Sequence, residues 1–216
     1  MNMRGFVAAP VAALVVIACG SSPNSSTPQG PTVASVAVQA SDLPSGMHRC
    51  DLSGDVNSFL NKVKTSSPST YASTKAEWEA AQKHGATAAE VVFFADSTAN
   101  CKAVGSNTSQ ISSATYKLVV NFVFQFKDEA TAAKGYTTES IFGFSQAQIA
   151  AAGSAATVGT KTGLGPNSVT LLVAISNQAF YIAVWQHKAF LVILAVLNID
   201  NATSQKVAVK VNGRIQ

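Results

Sequence analysis

The sequence predicts an α+β fold: a single domain in which an antiparallel sheet with a C-terminal β-meander is packed by several helices. Three observations predict it. Ser168 to Ile175, Ala179 to Gln186 and Ala189 to Asn198 are apolar runs broken only by Ser176-Asn177-Gln178 and His187-Lys188, and such short polar breaks join antiparallel strands. Thr115 to Phe126 reads as a further, long strand, with Leu118, Val120, Phe122, Phe124 and Phe126 on one face. Elsewhere apolar residues recur at helical spacings of three and four. The composition agrees, since 47% of the 216 residues are hydrophobic and only 12% are charged, which suits a packed domain and not a disordered chain.

Folded sequence is expected from residue 41, near Asp42-Leu43-Pro44, to the end at 216. Leu52, Val56, Phe59, Leu60 and Val63 recur at three- and four-residue spacings, with Ser53 and Asp55 to supply a polar cap, and predict a short amphipathic helix. Ser73 to His84 predicts a second helix, with Trp78 and Ala81 on its packed face and Gly85 to end it. Glu90 to Ala95 is a strand. After the long strand, Lys127-Asp128-Glu129 supplies a cap and an acidic first turn for a helix over Ala130 to Thr138. From Gly143 to Gly165 small residues dominate; Gln146 to Ala152 allows a helical turn or two, and Val158-Gly159 can open a strand.

The meander strands are apolar on both faces, so both faces must be covered. Either helices and a second layer cover them, or an apolar cavity lies between sheet and helices, with Leu172, Tyr181, Ala183 and Trp185 as its lining. The tail from Asn201 to Ile215 fits a helix capped by Asp200 or Asn201, with Val207, Val211 and Ile215 as a stripe opposite Lys206, Lys210 and Arg214; the other reading is an edge strand. The basic row is either a solvated face or a surface that leans on anionic headgroups.

The first nineteen residues have a different character. A basic start, Met1 to Arg4, precedes an apolar run from Gly5 to Ala18, too short to cross a bilayer but matching a secretory core. Val16-Ile17-Ala18-Cys19 then resembles a bacterial lipoprotein signal, in which residues 1–18 are removed and Cys19 takes the lipid. The resemblance implies a protein held at the extracytoplasmic face of the cell membrane by acyl chains such as palmitate. Residues 19–40 are rich in Ser, Pro, Thr and Gly and read as a flexible tether, holding the domain on the order of 25 Å from the membrane.

With Cys19 assigned to lipid, Cys50 and Cys101 remain as an even pair in an oxidising compartment, and one disulfide is expected. Of the fifteen basic side chains Arg4 leaves with the signal, so fourteen face eleven acidic ones. That mild surplus is no nucleic-acid footprint. Asp42-Leu43-Pro44 after the tether, Phe126-Lys127-Asp128-Glu129-Ala130 at a strand-to-helix junction, the late meander and the closing Arg214-Ile215 make the body similar to actinobacterial-type envelope lipoproteins and extracytoplasmic sensor-like domains. The resemblance covers residues 42 to 216, and the one cysteine pair departs from the two disulfides of some such domains.

Little in the sequence points to catalysis. His48, His84 and His187 are scattered, and no metal or other cofactor is implied. Gly143-Phe144-Ser145-Gln146-Ala147 is one residue short of a hydrolase elbow, and no histidine follows Asp200 to complete a triad. The glycines from Gly159 to Gly165 lack phosphate-loop spacing. His48-Arg49-Cys50-Asp51 can bring acid and base together, or it is a polar loop held by the disulfide. The expectation is therefore a non-enzymatic envelope lipoprotein that binds a hydrophobic small molecule or a protein partner, the alternative being an envelope hydrolase built from dispersed polar residues.

Overall fold

The computed structural model describes residues 30–140, 143–175 and 178–216. The signal box, Cys19 and the first part of the tether lie outside the described residues, as does Ser176-Asn177 of the first meander break. In chain order the elements are α1 (Val33–Val36), β1 (His48–Arg49), β2 (Gly54–Asp55), α2 (Val56–Ser66), α3 (Pro68–Lys83), β3 (Ala86–Ala95), α4 (Thr98–Ser106), β4 (Leu118–Phe126), α5 (Glu129–Thr138), α6 (Gln146–Ala150), β5 (Ala156–Val158), β6 (Ser168–Ile175), β7 (Gln178–His187), β8 (Phe190–Leu197) and α7 (Asn201–Gly213). The strands form one antiparallel sheet in the order β1-β3-β4-β8-β7-β6-β5, with β2 also paired to β3. The meander is β6-β7-β8, and the tail is the expected helix, with Asp200 accepting a hydrogen bond from Thr203 N at 2.9 Å.

β4 and β8 lie mid-sheet, and their alternating side chains feed two separate cores. Val120, Phe122, Phe124, Leu191 and Ile193 point to one side, where Phe59 and Val63 of α2, Trp78 of α3 and Tyr136 of α5 cover them. Phe59 stacks on Phe93 at 5.8 Å and meets Phe122 edge-on at 6.3 Å. α5 can lie close to β4 because Gly135 faces Phe126: a Cβ at Gly135 would fall 2.7 Å from the ring. Val92, Val119, Val123, Leu194 and Trp185 point to the other side, beneath Val207, Ala208 and Val211 of α7.

The expectation that residues up to 40 form a flexible tether fails at its C-terminal end. Val36, Ala37 and Val38 are buried in the second core, so the packed domain already includes α1. Two polar devices hold this segment. Asn121, fully buried in the middle of β4, accepts from Val38 N at 2.9 Å and donates to Ile193 O at 3.0 Å. Arg214, past the end of α7, donates to Val36 O at 3.2 Å and Ala37 O at 3.1 Å, and its other Nη pairs with the Asp42 carboxylate. Lys210 Nζ reaches Ser41 O at 3.4 Å. Two of the three residues in the basic row are therefore turned to the protein's own N-terminal segment.

Other differences concern boundaries and cover. α3 starts five residues earlier than the periodicity suggests, because Pro68 sits in its first turn, where a missing N–H costs nothing. β3 begins at Ala86, β4 at Leu118, and α4, with only Val104 buried, has too weak a stripe to be read from sequence. Both faces of β8 are covered, but β6 departs from that expectation: Leu172 is 43% exposed. No helix of the described residues is long and apolar enough to cross a membrane.

The Asn121 link gives a direct test. Asn121→Leu fills the same space and strands the Val38 N–H in an apolar layer, and an unsatisfied buried donor costs roughly 1 to 3 kcal/mol. Urea unfolding should lose about 2 kcal/mol, and limited proteolysis should gain a cut between residues 33 and 43. Unchanged stability would mean that the segment is held by apolar contact alone.

Candidate functional site

The described surface carries a cleft of about 600 Å³ at the β1 and β2 edge of the sheet, lined by Arg49, Cys50, Asp51, Leu52, Lys62, Thr98, Cys101, Lys102 and Gly105. Its geometry follows from how a short loop is pinned against β3. Arg49 pairs with Phe94 in register, and Cys50 N donates to Phe93 O at 2.8 Å. Ser53 Oγ then closes the loop by accepting from Phe93 N at 2.9 Å and donating to Phe93 O at 3.2 Å. Residues 50 to 53 are thus laid along the sheet edge, and Asp51 is left at the rim.

α2 forms one wall. Asp55 caps it, accepting from Asn57 N at 3.0 Å, Ser58 N at 3.1 Å and the Ser58 hydroxyl at 2.5 Å. One face further along, Lys62 donates its ammonium to Asp51 O at 2.6 Å and Ser53 O at 2.9 Å, which fixes this cation at the mouth of the cleft. The other wall is α4. Ser97 caps it, accepting from Asn100 N at 3.1 Å. Thr98, Cys101, Lys102 and Gly105 recur at helical spacing and so share the face that looks into the cleft.

The Cys50–Cys101 disulfide joins the 50–53 loop to the α4 wall, with a Cα–Cα distance of 5.0 Å across 51 residues of sequence. It forms part of the lining itself. Because it brings the neighbours of each cysteine together, Arg49 and Asp51 from one side and Lys102 from the other line the same cleft. Arg49 is oriented from behind by Glu90, at 3.1 Å, whose side chain is 9% exposed. Burial, with a smaller contribution from the nearby Asp55 charge, pushes the Glu90 carboxyl above the usual range, against the pull of Arg49. Asp55 is held below its usual range, chiefly by its hydrogen bonds from Ser58. Lys102 is exposed and makes no ion pair among the described residues.

The residues singled out from the sequence fall elsewhere, apart from the cysteines and Arg49 and Asp51. Tyr181, Ala183 and Trp185 are buried in the layer beneath α7, while Leu172 lies on the same face of the sheet further out, exposed. The Tyr181 hydroxyl and Trp185 Nε1 are buried without a hydrogen-bond partner among the described residues, and burial raises the Tyr181 pKa. Ser145 caps α6, donating to Gln148 Oε1 at 2.7 Å. His84 pairs with Glu139 at 2.6 Å, His187 with Asn212 at 2.9 Å, and His48 is exposed on β1. The glycine-rich turn around Gly163 is tied by the Thr162 and Ser168 hydroxyls. Among the described residues no three His, Cys, Asp or Glu side chains gather as a metal site.

Lys62, Lys102 and Gly105 went unnoticed in the sequence. The signal that pointed to part of the cleft was local: charged residues flank both bonded cysteines, in Arg49-Cys50-Asp51 and in Cys101-Lys102.

No family model matches the chain, and no curated protein matches it. Among solved structures it is similar to the extracellular domain of PknH from Mycobacterium tuberculosis, at 10% identity and a TM-score of 0.47, over 87% of this chain and 97% of that one.

The α2 cap makes the acid limb of stability testable. Because the Asp55 pKa is depressed in the folded state, its contribution is present above the unfolded carboxylate pKa of about 3.9 and is lost as pH falls through the lower folded value. Asp55→Ala should therefore cost about 1 kcal/mol at neutral pH, and the difference from wild type should shrink below about pH 4. Urea titrations across that range would show it; a difference that stays constant with pH would contradict the charged cap.

Proposed function

We propose that this protein is a lipid-anchored, extracytoplasmic binding domain, attached to the membrane through Cys19 and offering the α2–α4 cleft to a ligand or partner. The observation that carries this reading is the cleft. Three cations from three different elements face it with one lining carboxylate, and a covalent staple and the Lys62 hydrogen bonds hold its walls before anything binds. Such preorganisation favours recognition, since little ordering remains to be done on binding. In the lining Thr98 is the one hydroxyl and no histidine is present. A disulfide in this position also fits an oxidising compartment outside the cytoplasm.

A second reading keeps the hydrophobic ligand expected from the meander. It is favoured by Tyr181 Oη and Trp185 Nε1, buried on the face beneath α7 with no hydrogen-bond partner among the described residues. Access there would require α7 to lift, together with the Arg214 contacts that tie it to the N-terminal segment.

Anchoring and binding separate experimentally. Cys19→Ala should leave the membrane fraction while keeping its melting temperature, because two or more acyl chains give stable anchoring and the domain does not depend on them. Native mass spectrometry of the full chain, released in mild detergent, should show a small-molecule adduct that Gly105→Leu removes. A Cβ built at Gly105 meets nothing within 4 Å, so that change should extend into the cleft and leave the wild-type melting temperature. Membrane retention of Cys19→Ala would refute the anchor, and an adduct that survives Gly105→Leu would move the site away from the cleft.

A further inference from the structure

The cleft has a chemical preference as well as a shape. Its lining carries Arg49, Lys62 and Lys102 against Asp51, a local surplus of two positive charges. Glu90 stands behind Arg49, outside the lining, and engages one Nη, leaving the other N–H donors of the guanidinium for a ligand. A phosphate monoester carries about −1.5 to −2 charges at neutral pH and offers three acceptor oxygens. From Thr98 to Gly105 the α4 wall runs about 10 Å, longer than a phosphate alone. Beyond the cations and Asp51 the lining is uncharged: Leu52, Thr98, the Cys50–Cys101 disulfide, and half-buried Gly105, where an added Cβ would meet nothing within 4 Å.

We propose that the α2–α4 cleft is a phosphomonoester site, in which Arg49, Lys62 and Lys102 hold the phosphate and a compact organic body, such as a sugar or a glycerol backbone, lies along Gly105 and the disulfide. The assignment rests on the cleft being the binding site. The same chemistry is offered by a soluble sugar phosphate and by the headgroup of a phosphatidic acid membrane. Lys62, fixed through two backbone carbonyls, supplies a cation already in place, whereas the unpaired Lys102 is the group that closes on the ligand.

Calorimetric titration of the full chain in non-ionic detergent with glucose 6-phosphate, glucose and succinate tests the class. Co-sedimentation of the Cys19→Ala chain with phosphatidic acid or phosphatidylcholine vesicles tests the membrane source. Glucose 6-phosphate or phosphatidic acid should bind where glucose and phosphatidylcholine do not. Lys102→Gln should weaken that binding about tenfold, and Gly105→Leu should abolish it, with both variants keeping the wild-type melting temperature. Which of the two arms binds identifies the source. Succinate binding as tightly as the phosphate probes, phosphate binding indifferent to both variants, or no binding by either phosphate probe overturns the proposal. If neither phosphate binds and Gly105→Leu still removes the native adduct, the cleft stands as a binding site and only the phosphate assignment falls.

Discussion

Everything else in this structure depends on a sheet that is apolar on both faces. Along β4 and β8 consecutive side chains enter different cores, and each fully buried Phe, Leu, Ile or Val contributes roughly 1.5 to 3 kcal/mol only while its side of the sheet stays dry. One face is roofed by several helices. The other has α7 and the segment from Val33 to Leu43, so that short segment becomes part of the fold. Asn121 is the one fully buried polar residue of β4, and its amide is spent on joining that segment to the sheet. The end of the chain nearest the proposed anchor is thereby fastened to the centre of the domain, through a buried hydrogen bond and an Arg214–Asp42 pair.

The cleft lies at the opposite extreme of packing. It occupies the sheet edge where β1 and β2 are two residues each, and where a disulfide and Lys62 supply the rigidity that a longer ladder would give. The core and the proposed recognition site are kept apart in consequence: the aromatic core around Phe59, Phe93 and Phe122 backs α2, while the cations line the cleft at the sheet edge. A charged cleft against the core would require burying several ions; at this edge only Glu90 is largely desolvated, and Arg49 compensates it.

How much of this was legible in the sequence follows from where the information lies. The meander, the long β4, the α5 cap and the stripe Val207, Val211 and Ile215 were readable because each is a local periodicity with a local cap. The 19–40 tether was misread at its end because Val36, Ala37 and Val38 acquire partners 83 and more residues away, through Asn121 and Arg214, and no local pattern announces them. The pocket expected around Tyr181, Ala183 and Trp185 followed from an apolar face; that face meets α7, whose small Ser204 and Ala208 are themselves fully buried. The cleft was half visible. Cys50 and Cys101 imply that their charged neighbours converge, but the contributions of Lys62 and Gly105 exist only once α2 and α4 are set side by side.

The central claim is that ligand recognition belongs to the stapled edge and not to the layer beneath α7. Hydrogen–deuterium exchange of the full chain, compared with and without saturating glucose 6-phosphate, reads both places at once. The account predicts slowed exchange in peptides covering residues 49–53 and 98–105, with residues 181–185 and 201–213 unchanged. Protection centred on 181–185 and α7, with the 98–105 peptide unaffected, would contradict it.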